Sequence, residues 1–188
     1  KNYVVCYAYF VTDFSGAEDA IFDTLCVRGA IDGARRCGPL AERDGYYIIA
    51  GMDPAVKGTT AVVVYSVERS TGRRLVLDVQ TLKAPSPAQI RDMIQNITET
   101  YTPNEWVIEA NAFQGFLARD EEITQFLANK GIVLRPTFTG KDKHDPDFGV
   151  ASMSTLFGTR TVGEVGKPSR HQGDNLLSLP SSTAAGVK

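Results

Sequence analysis

Apolar runs with two different periods divide the chain from Tyr46 onward. Tyr46–Glu68 reads YYIIAGMDPAVKGTTAVVVYSVE: an apolar run ends on Asp53, a Gly/Pro-rich turn reverses the chain from Pro54 to Gly58, and a β-branched run returns over Thr59–Val67. Arg69-Ser70-Thr71-Gly72 is turn chemistry and Arg73–Thr81 predicts a third strand, so the three strands form an antiparallel meander. The period then lengthens to that of a helix. Ser86 caps it, Pro87 suits its first turn and Gln89 completes a capping box, while Ile90, Met93, Ile94, Ile97 and Tyr101 make one apolar face. Pro103 ends it, and Glu105–Ile108 predicts a short buried strand that ends at Glu109. A second helix carries Phe116, Leu117, Ile123, Phe126 and Leu127 with Gly131 as its stop signal, and Ile132–Arg135 follows as a strand. Phe148–Phe157 reads as a short helix with Val150, Met153 and Phe157 on one side, Gly158–Gly173 as a Gly-rich polar stretch, and Leu176–Leu179 as a last strand. Ahead of all this, Val4–Val11 predicts a strand, Glu18–Arg28 a short helix, and Ala30–Gly45 a connector without clear periodicity.

Three antiparallel strands, helix, strand, helix, strand is an α/β order. Right-handed crossovers set its later strands parallel to the first, giving a mixed sheet flanked by helices. The 188 residues suffice for one packed domain with an appendage, and 43% hydrophobic with 22% charged residues is a globular composition. Residues 1–44 differ in texture and read as the trailing edge of an upstream domain, with Pro39–Gly45 as the linker. A net charge of −2 argues against attachment to nucleic acid by bulk charge alone and leaves room for a local basic patch. Cys6, Cys26 and Cys37 are odd in number and irregular in spacing, which fits neither a disulfide framework nor a CxxC zinc site and points to a reducing cytoplasm. The apolar start KNYVVCYAYFVT lacks a charged leader and a small-residue cleavage site, so it reads as a strand, and no run reaches the ~20 apolar residues of a membrane span.

Asp53 and Glu109 carry the chemistry. A carboxylate at the rim of a buried strand is costly to desolvate unless solvent, a cation or donors meet it, although Asp before Pro is also ordinary turn chemistry. Both acids directly follow apolar strand-like runs, and if those strands are parallel neighbours the carboxylates emerge at one sheet edge. Two adjacent carboxylates repel each other unless one is protonated or a cation sits between them. Hard oxygen ligands suit Mg²⁺ or Mn²⁺, and a pair of such ions can activate water for phosphodiester cleavage. Arg135, Lys141, Lys143 and His144 lie where a phosphate backbone would pass that edge, as a DNA-facing lip or a solvated loop. Arg69, Arg73 and Arg74 at the hairpin are further basic groups, Lys57 and Gly58 read as turn residues, and Asn111 and Gln114 follow Glu109 as hydrogen-bonding side chains.

The α/β order resembles the ribonuclease H-like fold. GMDPAVKGTTAVVVYSV, EWVIEANAFQGFLARD and FTGKDKHDPDFGVASMSTLF together resemble the nuclease domain of the large terminase subunit of tailed bacteriophages, over approximately residues 46–160. That resemblance implies an endonuclease cutting concatemeric phage DNA during packaging, with Asp53 as the first-strand aspartate and Glu109 as the second acid. It also implies Mg²⁺ or Mn²⁺ as cofactor, double-stranded DNA as substrate, and the portal and small terminase subunit as partners in the cytoplasm of an infected host. An ATPase motor domain would precede Lys1 on the same polypeptide, residues 1–44 would be its trailing edge and linker, and 45–188 would be the nuclease domain. The family's third acid sits on a helix near the domain's end that is not found before Lys188: either that helix lies beyond Lys188, or one of Asp142, Asp145 and Asp147 takes its place, Asp147 being preferred. Three alternatives stand beside this reading: a packaging or docking module that keeps the fold without its chemistry, an actin-like or sugar-kinase nucleotide-binding domain, and a Holliday-junction resolvase. The second of these expects a DxGGGT-type phosphate loop, which the sequence does not contain.

Overall fold

The computed structural model describes residues 29–55, 57–109, 120–137, 153, 156 and 176–181. Its described strands are β1 (Ile31–Asp32), β2 (Tyr46–Asp53), β3 (Thr59–Glu68), β4 (Arg74–Lys83), β5 (Glu105–Glu109), β6 (Val133–Thr137) and β7 (Leu177–Pro180). Two described helices, α1 (Pro87–Tyr101) and α2 (Glu121–Asn129), lie between β4 and β5 and between β5 and β6. The strands form one sheet in the order β1-β7-β4-β3-β2-β5-β6. The meander β2–β3–β4 is antiparallel, and β5 joins β2, and β6 joins β5, in parallel. The mixed sheet expected from the sequence is therefore present.

Each element forms for reasons that are local. In α1 the Ser86 hydroxyl accepts from the Gln89 N–H while the Gln89 side chain accepts from the Ser86 N–H, which satisfies two orphan donors of the first turn. The stop is Thr102 in the left-handed region at φ 40°, its N–H bonded to the Thr98 carbonyl, so the helix closes one residue before Pro103. In α2 the N-cap is Asp120, whose carboxylate accepts from the Ile123 N–H, and Glu121 and Glu122 occupy the first turn where the helix dipole favours them. Phe116 and Leu117 lie outside the described residues, as do the strand over Val4–Val11, the helix over Glu18–Arg28 and the Gly-rich 158–173 stretch.

Alternation along the strands builds two apolar layers. On one face Ile48, Ala50, Met52, Val62, Val64, Trp106 and Ile108 pack against Ile90, Met93, Ile94, Ile97 and Tyr101 of α1 and Ile123 and Leu127 of α2. On the other, Val63, Val76, Val79, Leu177 and Leu179 pack with Ala30, Met153 and Leu156. Met153 was expected on the apolar side of its segment, with Val150 and Phe157, which are not among the described residues. The expected connector over Ala30–Gly45 also contributes to the sheet: Ile31 and Asp32 pair in parallel with Leu179 and Pro180.

Candidate functional site

The position of the two candidate acids follows from how β5 is seated beside β2. Asn104, just ahead of β5, accepts the Ile48 N–H on its side-chain oxygen at 2.8 Å, donates its own N–H to the Ile48 carbonyl at 2.8 Å, and accepts the Val133 N–H at 3.1 Å. One residue thereby aligns the starts of β2, β5 and β6. From there the register runs in parallel to its last pair, Met52 with Ile108. Trp106 strengthens the seating from the helix side, its fully buried indole N–H donating to Thr98 Oγ1 on α1 at 2.9 Å.

Asp53 and Glu109 each follow the Met52–Ile108 pair by one residue. They emerge at the C-terminal ends of adjacent parallel strands, and alternation turns both away from the face covered by α1 and α2. Neighbouring strands lie about 4.8 Å apart, which sets the scale of their backbone separation. Glu109 is buried and Asp53 half-buried. The turn beyond Asp53 is fixed by Thr60, whose buried hydroxyl accepts from the Ala55 N–H at 2.9 Å and donates to the Ala55 carbonyl at 3.2 Å. At the far side of that turn the Ala84 N–H donates to the Gly58 carbonyl at 2.6 Å, with Ala84 in the left-handed region at φ 44°.

The basic residues divide sharply. Arg135 is paired in register with Val107 and shares the acids' face, but its Nε forms an ion pair with Glu105 at the start of β5. Glu105 also accepts from the Tyr47 hydroxyl at 3.3 Å, and burial, reinforced by the Glu105 carboxylate, pushes the Tyr47 phenol above its ordinary value. Arg69 lies over the Tyr47 ring at 5.6 Å. Arg69, Arg73 and Arg74 flank the β3–β4 turn, at the opposite end of the strands from Asp53. Lys141, Lys143 and His144, the acids Asp142, Asp145 and Asp147, and Asn111 and Gln114 lie outside the described residues. Sequence reasoning missed Glu105 as the partner of Arg135, because their proximity is a product of the β5–β6 pairing and leaves no local trace. It also passed over Lys83, which closes β4 at the acid end of the sheet.

An oxygen-only donor pair at the end of two parallel strands fits a hard divalent cation better than zinc or another soft metal. Among the described residues no group of three or more His, Cys, Asp or Glu side chains gathers around one point. The described helices include none long and apolar enough to cross a membrane.

A mixed sheet of this topology, with two acids at the ends of its central parallel strands, defines a ribonuclease H-like domain. The sequence matches the family model of the Terminase RNaseH-like domain over residues 50–157, more than half of the chain, and the chain belongs to that family. Among solved structures, the P22 large terminase nuclease domain superposes with a TM-score of 0.52 at 12% identity, over 89% of this chain and 75% of that one. The nuclease domain of the large terminase subunit of bacterial virus Sf6 gives 0.49 at 15% identity, over 86% and 74%. The large terminase of a thermophilic bacteriophage gives 0.47 at 12% identity, and there the match covers 85% of this chain but only 32% of that one. At 12% identity the likeness to the P22 domain is one of fold. No curated protein matches the chain by sequence.

Proposed function

We propose that this chain is the nuclease part of a phage large terminase, an endonuclease that hydrolyses DNA phosphodiesters with Mg²⁺ or Mn²⁺ held by Asp53 and Glu109. The observation that supports the reading is the β2–β5 register, in which Asp53 and Glu109 each follow the last pair of two adjacent parallel strands, in a chain of the Terminase RNaseH-like family. Like charges at neighbouring strand ends repel, and a cation between them turns that repulsion into binding. A divalent pair supplies Lewis acidity toward the phosphoryl oxygens when bound. The rest is the work of the chain's own groups. Asp53 and Glu109 fix the geometry from rigid strand ends, which holds a site more closely than a loop does. Asp147 is the proposed third ligand. Arg135, Lys141, Lys143 and His144 form the proposed DNA-facing lip. The Arg135 side chain is 64% exposed and its ion pair engages Nε, so the five-donor guanidinium keeps its outer N–H groups for phosphate.

In the same reading, residues 1–44 lead from an ATPase motor on the same polypeptide, and 45–188 form the nuclease domain. The enzyme cuts concatemeric DNA in the cytoplasm of an infected host, beside a portal and a small terminase subunit. The test is nicking of supercoiled plasmid by the full chain with Mn²⁺. Cleavage is expected in the parent, to be abolished by a chelator, and to fall by roughly 10²-fold or more in Asp53→Ala and Glu109→Gln with unchanged melting temperatures. Full activity in either variant would sink the assignment. A parent that binds DNA and never cuts it would favour the non-catalytic packaging module.

A further inference from the structure

The acids occupy only part of the sheet edge on which they lie, and the same edge carries basic groups further along. Asp53 is paired with Ala61 of β3, Ala61 with Thr81 of β4, and one step higher Thr59 is paired with Lys83. Alternation puts Asp53, Ala61, Thr81, Thr59 and Lys83 on one face, the face that also bears Glu109. Two strand spacings across and two residues up place the Lys83 backbone on the order of 12 Å from that of Asp53. Thr59, Thr81 and Lys83 are exposed, as is Lys57 in the turn between Asp53 and Thr59.

Two features bear on these lysines as phosphate contacts at the acid edge. First, Lys57 and Lys83 have no ion-pair partner among the described residues, whereas Arg135 is paired with Glu105 and Arg91 with Asp120. Second, the backbone at Lys83 is fixed relative to that at the acid by its pairing with Thr59. The next residue, Ala84, is held in the left-handed region at φ 44°, and its N–H bonds the Gly58 carbonyl in the Asp53 turn. A non-glycine residue in that conformation persists only where its surroundings impose it, and such residues concentrate at functional sites.

We infer that Lys83, with Lys57, is a phosphate-binding rail continuous with the acid pair, and that the DNA strand being cut crosses the sheet edge from β5 over β2 and β3 to the end of β4. Each ammonium meets a phosphate beyond the scissile one as a point charge, which positions the strand without reading its sequence. Thr59 and Thr81 stand beside Lys83 as neutral donors to the same backbone. These are positioning residues, and the inference rests on the nuclease reading above.

The test is binding of a fluorescently labelled 30-base-pair duplex to the full chain by anisotropy across a salt series without divalent ions. The double variant Lys57→Ala/Lys83→Ala is compared with Arg69→Ala/Lys130→Ala, which removes the same charge away from the acid edge. The rail predicts an affinity loss of roughly tenfold or more, and a salt slope shallower by about 1.8, in the first variant, with the second within about twofold of the parent. Equal effects in the two variants, or none in the first, would overturn it. Cleavage read in parallel keeps the two claims apart. If the parent cuts and Asp53→Ala does not, unchanged binding by the lysine variant removes the rail and leaves the nuclease. If the parent does not cut, the salt slope still decides whether these lysines hold phosphate.

Discussion

Asp78 is almost fully buried between the sheet and α1, a position a carboxylate occupies only when donors surround it. Three do so: its own neighbour's Val79 N–H at 2.8 Å, Gln80 Nε2 at 2.8 Å and the Tyr101 hydroxyl at 2.9 Å. Burial, and then the hydrogen bond to Asp78, drive the Tyr101 phenol well above its ordinary value of 10.0. Tyr101→Phe removes one of the donors and is expected to cost about 1–3 kcal/mol in chemical denaturation. A phenol whose pKa is raised by folding contributes stability that is complete below its unfolded value and is lost as pH rises toward the folded one. The melting temperature of the parent should thus fall as pH rises above 10.0, and that of Tyr101→Phe should fall less steeply. Parallel curves would show that Tyr101 does not carry the alkaline loss.

At the scale of elements, α1 matters because it covers the central strands that end in the two acids. Its cap is a reciprocal pair of hydrogen bonds between Ser86 and Gln89. Ser86→Ala should lower stability by about 1 kcal/mol, and Ser86→Gly by only a few tenths, in urea titrations. An equal loss in both would mean that the cap is not what the serine supplies. This element was legible in the sequence down to its cap, since capping box, N1 proline and 3.6-residue period all report on the same few neighbouring residues. The start of α2 was less so. The apolar residues Phe116 and Leu117 lie outside the described residues, and the described helix opens at Glu121, where Asp120 caps it and also pairs with Arg91 of α1 at 3.1 Å. That second role is a tertiary contact.

The whole molecule is fastened at its β7 side by a residue that local pattern left in a connector. Arg35 donates from Nη1 to the Ser178 carbonyl at 3.0 Å and to Ser178 Oγ at 2.8 Å, and from Nη2 to the Val76 carbonyl at 2.7 Å, clamping β7 against β4. Leu177 and Leu179 of that strand are buried in the second apolar layer. Arg35→Ala should cost about 2 kcal/mol and speed amide exchange over Leu177–Pro180 relative to β2 and β5. A chain cut to begin at Asp44 should show the same change more strongly. If exchange at β7 is unaltered in both, the clamp is not what holds the strand.

The sequence by itself determined the strands of the meander, α1, the short strand before Glu109 and the two acids at strand ends. Turn residues, caps and hydrophobic periods act over a few positions, so these features are written where they occur. Tertiary structure alone decided the rest: the insertion of β7 between β1 and β4, the Asn104 contacts that align β5 with β2, the capture of Arg135 by Glu105, and the arrival of Lys83 on the acid edge. All four depend on which strand lies beside which and in what register. A period of two is the same in every register, so only the packed sheet selects one.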